Sequence, residues 1–175
     1  MIRRLGSLVG KRIVFGYDRY LLPDISAYRA SLAGPSPVTE AVDATHLHYL
    51  SSAELVCRTV QADPEDSFGI LCCGTGMGMS IAANKFRGIY AARCMTVEDA
   101  ELARSINNAN VLCIAAKQGF VLNRAIIEAF VTTPYNGRKL EELQYITQLE
   151  GTSAILPLDT ELRTAAGLAG QRRTA

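Results

Sequence analysis

The chain has 175 residues, 49% of them hydrophobic, with 18 Lys and Arg set against 17 Asp and Glu. That length suits one domain with a full core, and the balanced charge leaves no electrostatic case for nucleic acid or an acidic membrane surface. No apolar run approaches the roughly 20 residues needed to cross a bilayer. The basic start leads into a short apolar stretch broken by Gly10, Lys11 and Arg12, so no secretory leader is expected either.

Short apolar runs alternate with amphipathic segments. "RIVFG" (12–16) reads as the first strand, and "PVTEAVD" (37–43) as a weaker second one. "YLSSAELVCRTVQ" (49–61) carries helix-period apolar positions and leads into a third strand, "GILCC" (69–73). A helix over 78–86, a strand over 89–94, a helix over 96–106, a strand over 110–115 and a helix over 118–131 complete the alternation. Thr96 followed by Asp99 has the form of an N-terminal capping box with Asp in the usual Glu place. One more helix is expected over 138–150. The domain is therefore read as 1–150, with 151–175 as a small-residue extension, partly helical or flexible. Strand–helix alternation predicts a three-layer α-β-α sandwich around a mostly parallel, Rossmann-like five-stranded sheet.

Ligands bind such sheets at the carboxyl ends of the strands. Three positions are assigned there: Asp18 after the first strand, Cys73 to Ser80 after the third, and Asn107 to Asn110 before the fifth. The middle stretch, "CCGTGMGMSIAANK" (72–85), is the informative one. Gly74, Gly76 and Gly78 permit close backbone approach, and the helix that follows directs free N–H groups into the turn. This describes an anion or oxyanion cradle. The third glycine falls one place too early for a dinucleotide fingerprint, and no G-K-[S/T] follows for a P-loop. A plain tight turn between strand and helix is the bland alternative.

Alternation along a strand sends Cys72 and Cys73 to opposite faces. Cys72 then belongs to the core, while Cys73 ends at the cradle, where a helix N-terminus favours a thiolate. Thr75 is placed to bond a substrate oxygen. A nucleophilic thiolate ordinarily needs a histidine partner, and none lies in these three loops, which tilts the reading towards proton abstraction beside a carbonyl. Cys57, Cys94 and Cys113 read as small buried hydrophobes. Met79 reads as core, and Met77 as a side chain against the ligand. His46 and His48 flank a helix start, with His46 a candidate for the site lining. The five cysteines show no C-x-x-C pair and lie apart from both histidines in sequence, which argues against zinc and against a secreted disulfide framework. Reduced thiols in a cytoplasm are expected.

"CGTGMGMSIAANKFRGIYAA" followed by "NNANVLCIAAK" resembles the type B ribose-5-phosphate isomerases and the related galactose-6-phosphate isomerase subunits, over about residues 12 to 150. The resemblance implies a homodimer with two shared sites, in some members a dimer of dimers. It also implies aldose–ketose isomerisation of a sugar phosphate through a cis-enediolate, without metal or other cofactor. Carried over by motif, Cys73 is the carbon base. Gly74, Gly76, Met77 and Gly78 offer N–H groups to the enediolate, with Ser80 beside them. Asp18 lies near the sugar hydroxyls and ring oxygen, Thr75 is the ring-opening or hydroxyl-binding threonine, and Asn107 is the asparagine that reaches the neighbouring subunit's site.

The departures from the family pattern are specific. Asp18-Arg19 stands where the family has Asp-His, and Ile106-Asn107 where it has His-Asn. His46 takes the tyrosine place of an Asp-Tyr-Pro loop. Of three phosphate-holding arginines, one becomes Lys117, one matches Arg138 and the last falls on Glu142, whose charge repels phosphate. Lysine cannot copy an arginine fork, and Arg19 is a candidate to compensate. Three readings stay open: an active isomerase with shifted specificity, a non-catalytic or regulatory subunit, and a pathway-specific protein for an unphosphorylated or unusual sugar. Ile106 has no proton to give a closing ring, and a tetrose 4-phosphate cannot close a furanose. A short or open-chain sugar phosphate is therefore expected, with a pentose 5-phosphate next.

Overall fold

The computed structural model describes residues 5–34 and 36–150, so the expectations for the extension from Gly151 lie outside the described residues. Five strands form one sheet in the order β2-β1-β3-β5-β4. They are β1 (Arg12–Tyr17), β2 (Val38–Glu40), β3 (Ser67–Cys73), β4 (Ala91–Arg93) and β5 (Val111–Ala115). Every pairing is parallel, so the expectation of a mostly parallel sheet sharpens to a wholly parallel one. The helices are α1 (Ile25–Leu32), α2 (Tyr49–Ala62), α3 (Met77–Ala83), α4 (Val97–Ser105), α5 (Phe120–Thr132) and α6 (Leu140–Gln148).

The sheet sorts its side chains by alternation. Ile13, Phe15, Phe68, Ile70, Cys72, Leu112 and Ile114 pack with Tyr28 of α1, Ala100 of α4 and Phe130 of α5 on one face. Val14, Leu71, Cys73, Val111 and Cys113 pack with Val56 of α2 and Met79 of α3 on the other. β3 is buried at every position, as a central strand covered on both sides must be. The two edge strands are shorter than the apolar runs that signal them: β2 pairs only with Ile13–Phe15 of β1, and β4 only with Val111–Cys113 of β5.

The segment between β1 and β2 holds more structure than its sequence announces. Asp18 caps a 3-10 helix over Arg19–Asp24 that contains Pro23, and α1 follows it directly. The proline and the short apolar period hide this element from a pattern reading; Leu21, Tyr28 and Leu32 are its buried anchors. Arg29 of α1 grips Glu40 of β2 with Nε at 2.6 Å and Nη2 at 2.8 Å, and the Tyr17 hydroxyl donates to the same carboxylate at 3.1 Å. Thr96 and Asp99 form the expected capping box at α4: the Asp99 N–H donates to Thr96 Oγ1 and the Thr96 N–H to Asp99 Oδ2, each at 3.0 Å.

Candidate active site

At the carboxyl edge of the sheet, β1, β3 and β5 end side by side, with Tyr17 opposite Cys72 and Cys73 opposite Ala115. A cavity of about 600 Å³ opens there, lined by Asp18, Tyr20, Tyr49, Cys73, Gly74, Thr75, Gly78, Ala116 and Lys117. Cys73 faces it from the end of β3, while Cys72 points into the opposite core and is fully buried. Burial, with Cys73 and Asp18 adding to it, pushes the Cys72 thiol well above the ordinary thiol range.

The chain leaves β3 through a turn that only glycine accommodates at its pivot. Gly76 caps α3 with φ of +73°, and a Cβ there would stand 3.1 Å from the carbonyl of Ile114. Gly78 meets the ring of Tyr49, to which a Cβ would approach within 2.8 Å. The turn's N–H groups converge on the ends of the strands. Gly76 N–H donates to Cys73 Sγ at 3.2 Å, Met77 N–H to Thr75 Oγ1 at 3.3 Å, and Gly74 N–H to the Asp18 carboxylate. Arg93 of β4 braces the turn from outside, its Nε donating to the Thr75 carbonyl at 2.8 Å.

Asp18 is almost wholly buried, and burial raises its carboxyl above the usual range; N–H bonds from Tyr20 and Gly74, then the charges of Arg19 and His48, work against that rise. Its Oδ1 accepts from Tyr20 N–H at 2.9 Å. Across the cavity, the Lys117 N–H reaches the Gly74 carbonyl at 3.4 Å, so the β5 exit and the cradle are tied to each other.

Of the residues singled out in sequence, Asp18, Cys73, Gly74, Thr75, Gly78 and Lys117 line this cavity; Gly76, Met77 and Ser80 build the turn and helix behind it. Arg19 sits beside the mouth, its guanidinium 5.5 Å from the centre of the Tyr20 ring. His46 is turned away, its Nδ1 3.1 Å from Asp43 Oδ2 in an exposed turn. Tyr20, Tyr49, Ala116 and Arg93 escaped the sequence reading. Tyr20 was legible only as a neighbour of Asp18, and Arg93 as a lone cation in a strand.

One assignment changes. The stretch from Asn107 to Asn110 precedes β5, and in a parallel sheet the residues before a strand lie at its amino end. With Cys73 opposite Ala115, the five residues of β5 separate Asn107 from the cavity by roughly 15 Å or more. Buried Arg104 holds this loop, with Nη1 donating to Asn108 Oδ1 at 2.9 Å and Nη2 to the Gly6 carbonyl at 3.3 Å. Arg138 also belongs to the amino edge: it follows α5, and Tyr135 beside it bridges to Gly6, ahead of β1. Glu142 pairs there with Lys139 at 3.1 Å. Within one chain, neither Asn107 nor Arg138 meets Cys73.

Among the described residues no group of three or more His, Cys, Asp or Glu is placed to hold a metal ion, and no helix is long and apolar enough to cross a membrane. All five cysteines are free thiols.

A cavity at the carboxyl edge of a parallel α/β sheet lies where this architecture binds small molecules. The sequence model of the Ribose/Galactose Isomerase family matches residues 34–146, and the chain belongs to that family. It is 39% identical over 105 residues to ribose-5-phosphate isomerase B of Escherichia coli, covering 59% of this chain and 68% of that protein. It is 40% identical over 93 residues to D-erythrulose-4-phosphate isomerase of Pectobacterium atrosepticum, covering 50% and 61%. The type B ribose 5-phosphate isomerase of Leishmania infantum superposes with a TM-score of 0.70 at 38% identity, covering 81% of this chain and 97% of that one. The matches span about three fifths of the length of most curated relatives and 29% of one, the Arabidopsis thaliana protein DRT102.

Proposed function

We propose that the chain is an aldose–ketose isomerase of a short sugar phosphate, with Cys73 as the base that moves a proton between C1 and C2. The observation that carries this reading is the placement of the Cys73 sulfur on the wall of the same cavity as Asp18 and the Gly74–Gly78 cradle. Taking the C2 proton of an aldose onto sulfur leaves an enediolate whose charge the N–H groups of the turn stabilise; a proton passes from O2 to O1, and the same thiol returns its proton to C1 to give the ketose. The Met77 N–H, held by Thr75 Oγ1 in the free protein, is released to a substrate oxygen when Thr75 turns to a sugar hydroxyl.

The preference for a four-carbon substrate rests on Ile106, which has no proton to open a ring, and on the chemistry of a C4 phosphate, which blocks furanose closure. Similarity to a D-erythrulose-4-phosphate isomerase supports it. Lys117 at the cavity and Arg19 at its mouth are the cations for the terminal phosphate. The presence of Cys73 together with Thr75 favours an active enzyme over a non-catalytic subunit. Comparing kcat/KM for erythrose or erythrulose 4-phosphate with that for ribose 5-phosphate tests the reading; a clear pentose preference refutes the short-substrate part, and no turnover of either refutes the activity.

The assembly in this proposal is a homodimer. Asn107 and Arg138, at the amino edge, reach a cavity only if it belongs to a second chain, and a two-fold pair provides that contact twice. Free thiols suit a reducing, cytoplasmic setting. Light scattering at micromolar concentration tests the assembly: a stable, active monomer overturns it.

A further inference from the structure

We propose that Tyr20 sets the length of the sugar that the cavity accepts. This rests on the isomerase reading above and deepens it by naming the residue that discriminates between substrates.

Tyr20 is fixed at its backbone and free at its ring. Its N–H is held by Asp18 Oδ1 at 2.9 Å, and the Asp18 N–H is in turn donated to the Cys72 carbonyl at 3.1 Å. The residue is thereby tethered to the ends of β1 and β3 together. Its ring lies against Gly74, the residue that follows the proposed base: a Cβ on Gly74 would stand 3.3 Å from Cδ2 and 3.5 Å from Cγ. A side chain on Gly74 would press on this ring, which would have to give by a few tenths of an ångström.

The ring is not there for the core. Tyr28 and Tyr135 are 1% exposed, whereas Tyr20 is 61% exposed while lining the cavity. An aromatic side chain anchored at its base and left open to solvent at the mouth forms a wall. The Arg19 guanidinium over the ring, 5.5 Å from its centre, restricts where that wall stands.

Chemistry fixes one end of the substrate, since C1 and C2 must meet Cys73. Every further carbon extends away from the sulfur into a cavity whose wall the Tyr20 ring forms. Shape discrimination of this kind is worth about tenfold or more per carbon.

The test compares kcat/KM for D-erythrose 4-phosphate and D-ribose 5-phosphate in the full-length wild type, Tyr20→Ala and Tyr20→Phe. Because the ring is exposed, both variants are expected to fold, with circular dichroism as the check. Tyr20→Ala is expected to raise the pentose-to-tetrose ratio about tenfold or more, and Tyr20→Phe to keep the wild-type ratio. An active wild type whose ratio does not move in Tyr20→Ala overturns the assignment of Tyr20 alone. A ratio that moves equally far in Tyr20→Phe assigns the effect to the hydroxyl and also overturns it. A wild type that turns over neither sugar overturns the isomerase reading itself, and this inference with it.

Discussion

The Gly76 N–H points at the Sγ of Cys73 from 3.2 Å, across the turn that joins β3 to α3. The thiol is thus held by the same backbone that is proposed to receive the substrate's charge, and the neighbouring thiol of Cys72 has no part in it. Replacing Cys73 with Ala is expected to lower kcat by about 10²–10⁴-fold with the fold kept, while Cys72→Ala leaves activity close to wild type. Steady-state kinetics on the two variants decides; an essential Cys72 beside a dispensable Cys73 reverses the assignment.

Reactivity towards alkylating agents follows the same division. Cys73 is 5% exposed at the cavity, while Cys57, Cys72 and Cys113 have no exposure and Cys94 has 1%. Burial pushes the Cys57 and Cys94 thiols up to about 12 and the Cys113 thiol well above the ordinary range. Iodoacetamide under native conditions should label Cys73 first, more slowly with substrate present, and the other four only after unfolding. Peptide mapping by mass spectrometry reads this directly, and native labelling at Cys57 or Cys113 ahead of Cys73 contradicts it.

Gly76→Ala combines a left-handed backbone with a carbonyl neighbour 3.1 Å from the added carbon. The backbone part alone costs about 1–2 kcal/mol, and displacement of the turn moves the N–H away from Cys73. Loss of activity should therefore exceed what the loss of stability accounts for, measured as kcat at a temperature where the variant is fully folded. A variant with wild-type kcat removes the turn from the mechanism.

The Arg29–Glu40 pair gives a pH signature. Bonds from Arg29 hold the Glu40 carboxyl below its usual range, with burial opposing them. Stability from a lowered carboxylate is present above the unfolded value of about 4.3 and is lost as pH falls through the folded one. The Arg29 side chain is exposed, so solvent screening keeps the contribution of the pair small. Glu40→Gln should lower the melting temperature at pH 7 by a small amount, and the difference from wild type should shrink as pH falls below about 4.3. A gap that does not shrink with falling pH points to packing in place of charge.

Thr96→Ala removes the oxygen that accepts the Asp99 N–H at the start of α4 and is expected to cost about 1 kcal/mol. Thr96 lies outside the cavity, so kcat should be unaffected. Urea denaturation against the wild type measures the loss.

The parts legible in sequence were those governed by local periodicity. Period two along "GILCC" separates Cys72 from Cys73, and the spacing of Thr96 and Asp99 announces a cap. Tyr20 was hidden because its role depends on Gly74, more than fifty residues away, and on a 3-10 turn whose proline breaks any helical period. The loop from Asn107 to Asn110 was misplaced for a different reason. Which edge of a sheet a loop occupies follows from strand direction, and a loop before a parallel strand lies opposite the loop after it. Residue type and spacing carry no record of that geometry; the topology does.

The outer strands have a consequence for how the chain behaves when crowded with copies of itself. β2 and β4 each span only three residues, and Pro37, which has no N–H to offer, stands immediately before β2. Glu40, gripped by Arg29, ends β2 with a charge. A row of unpaired backbone groups this short and this punctuated gives another chain little to zip onto, although the centre of the sheet is apolar on both faces. Lengthening β2, or neutralising Glu40 within it, should raise the tendency to form fibrils well before it alters the cavity at the far ends of β1 and β3.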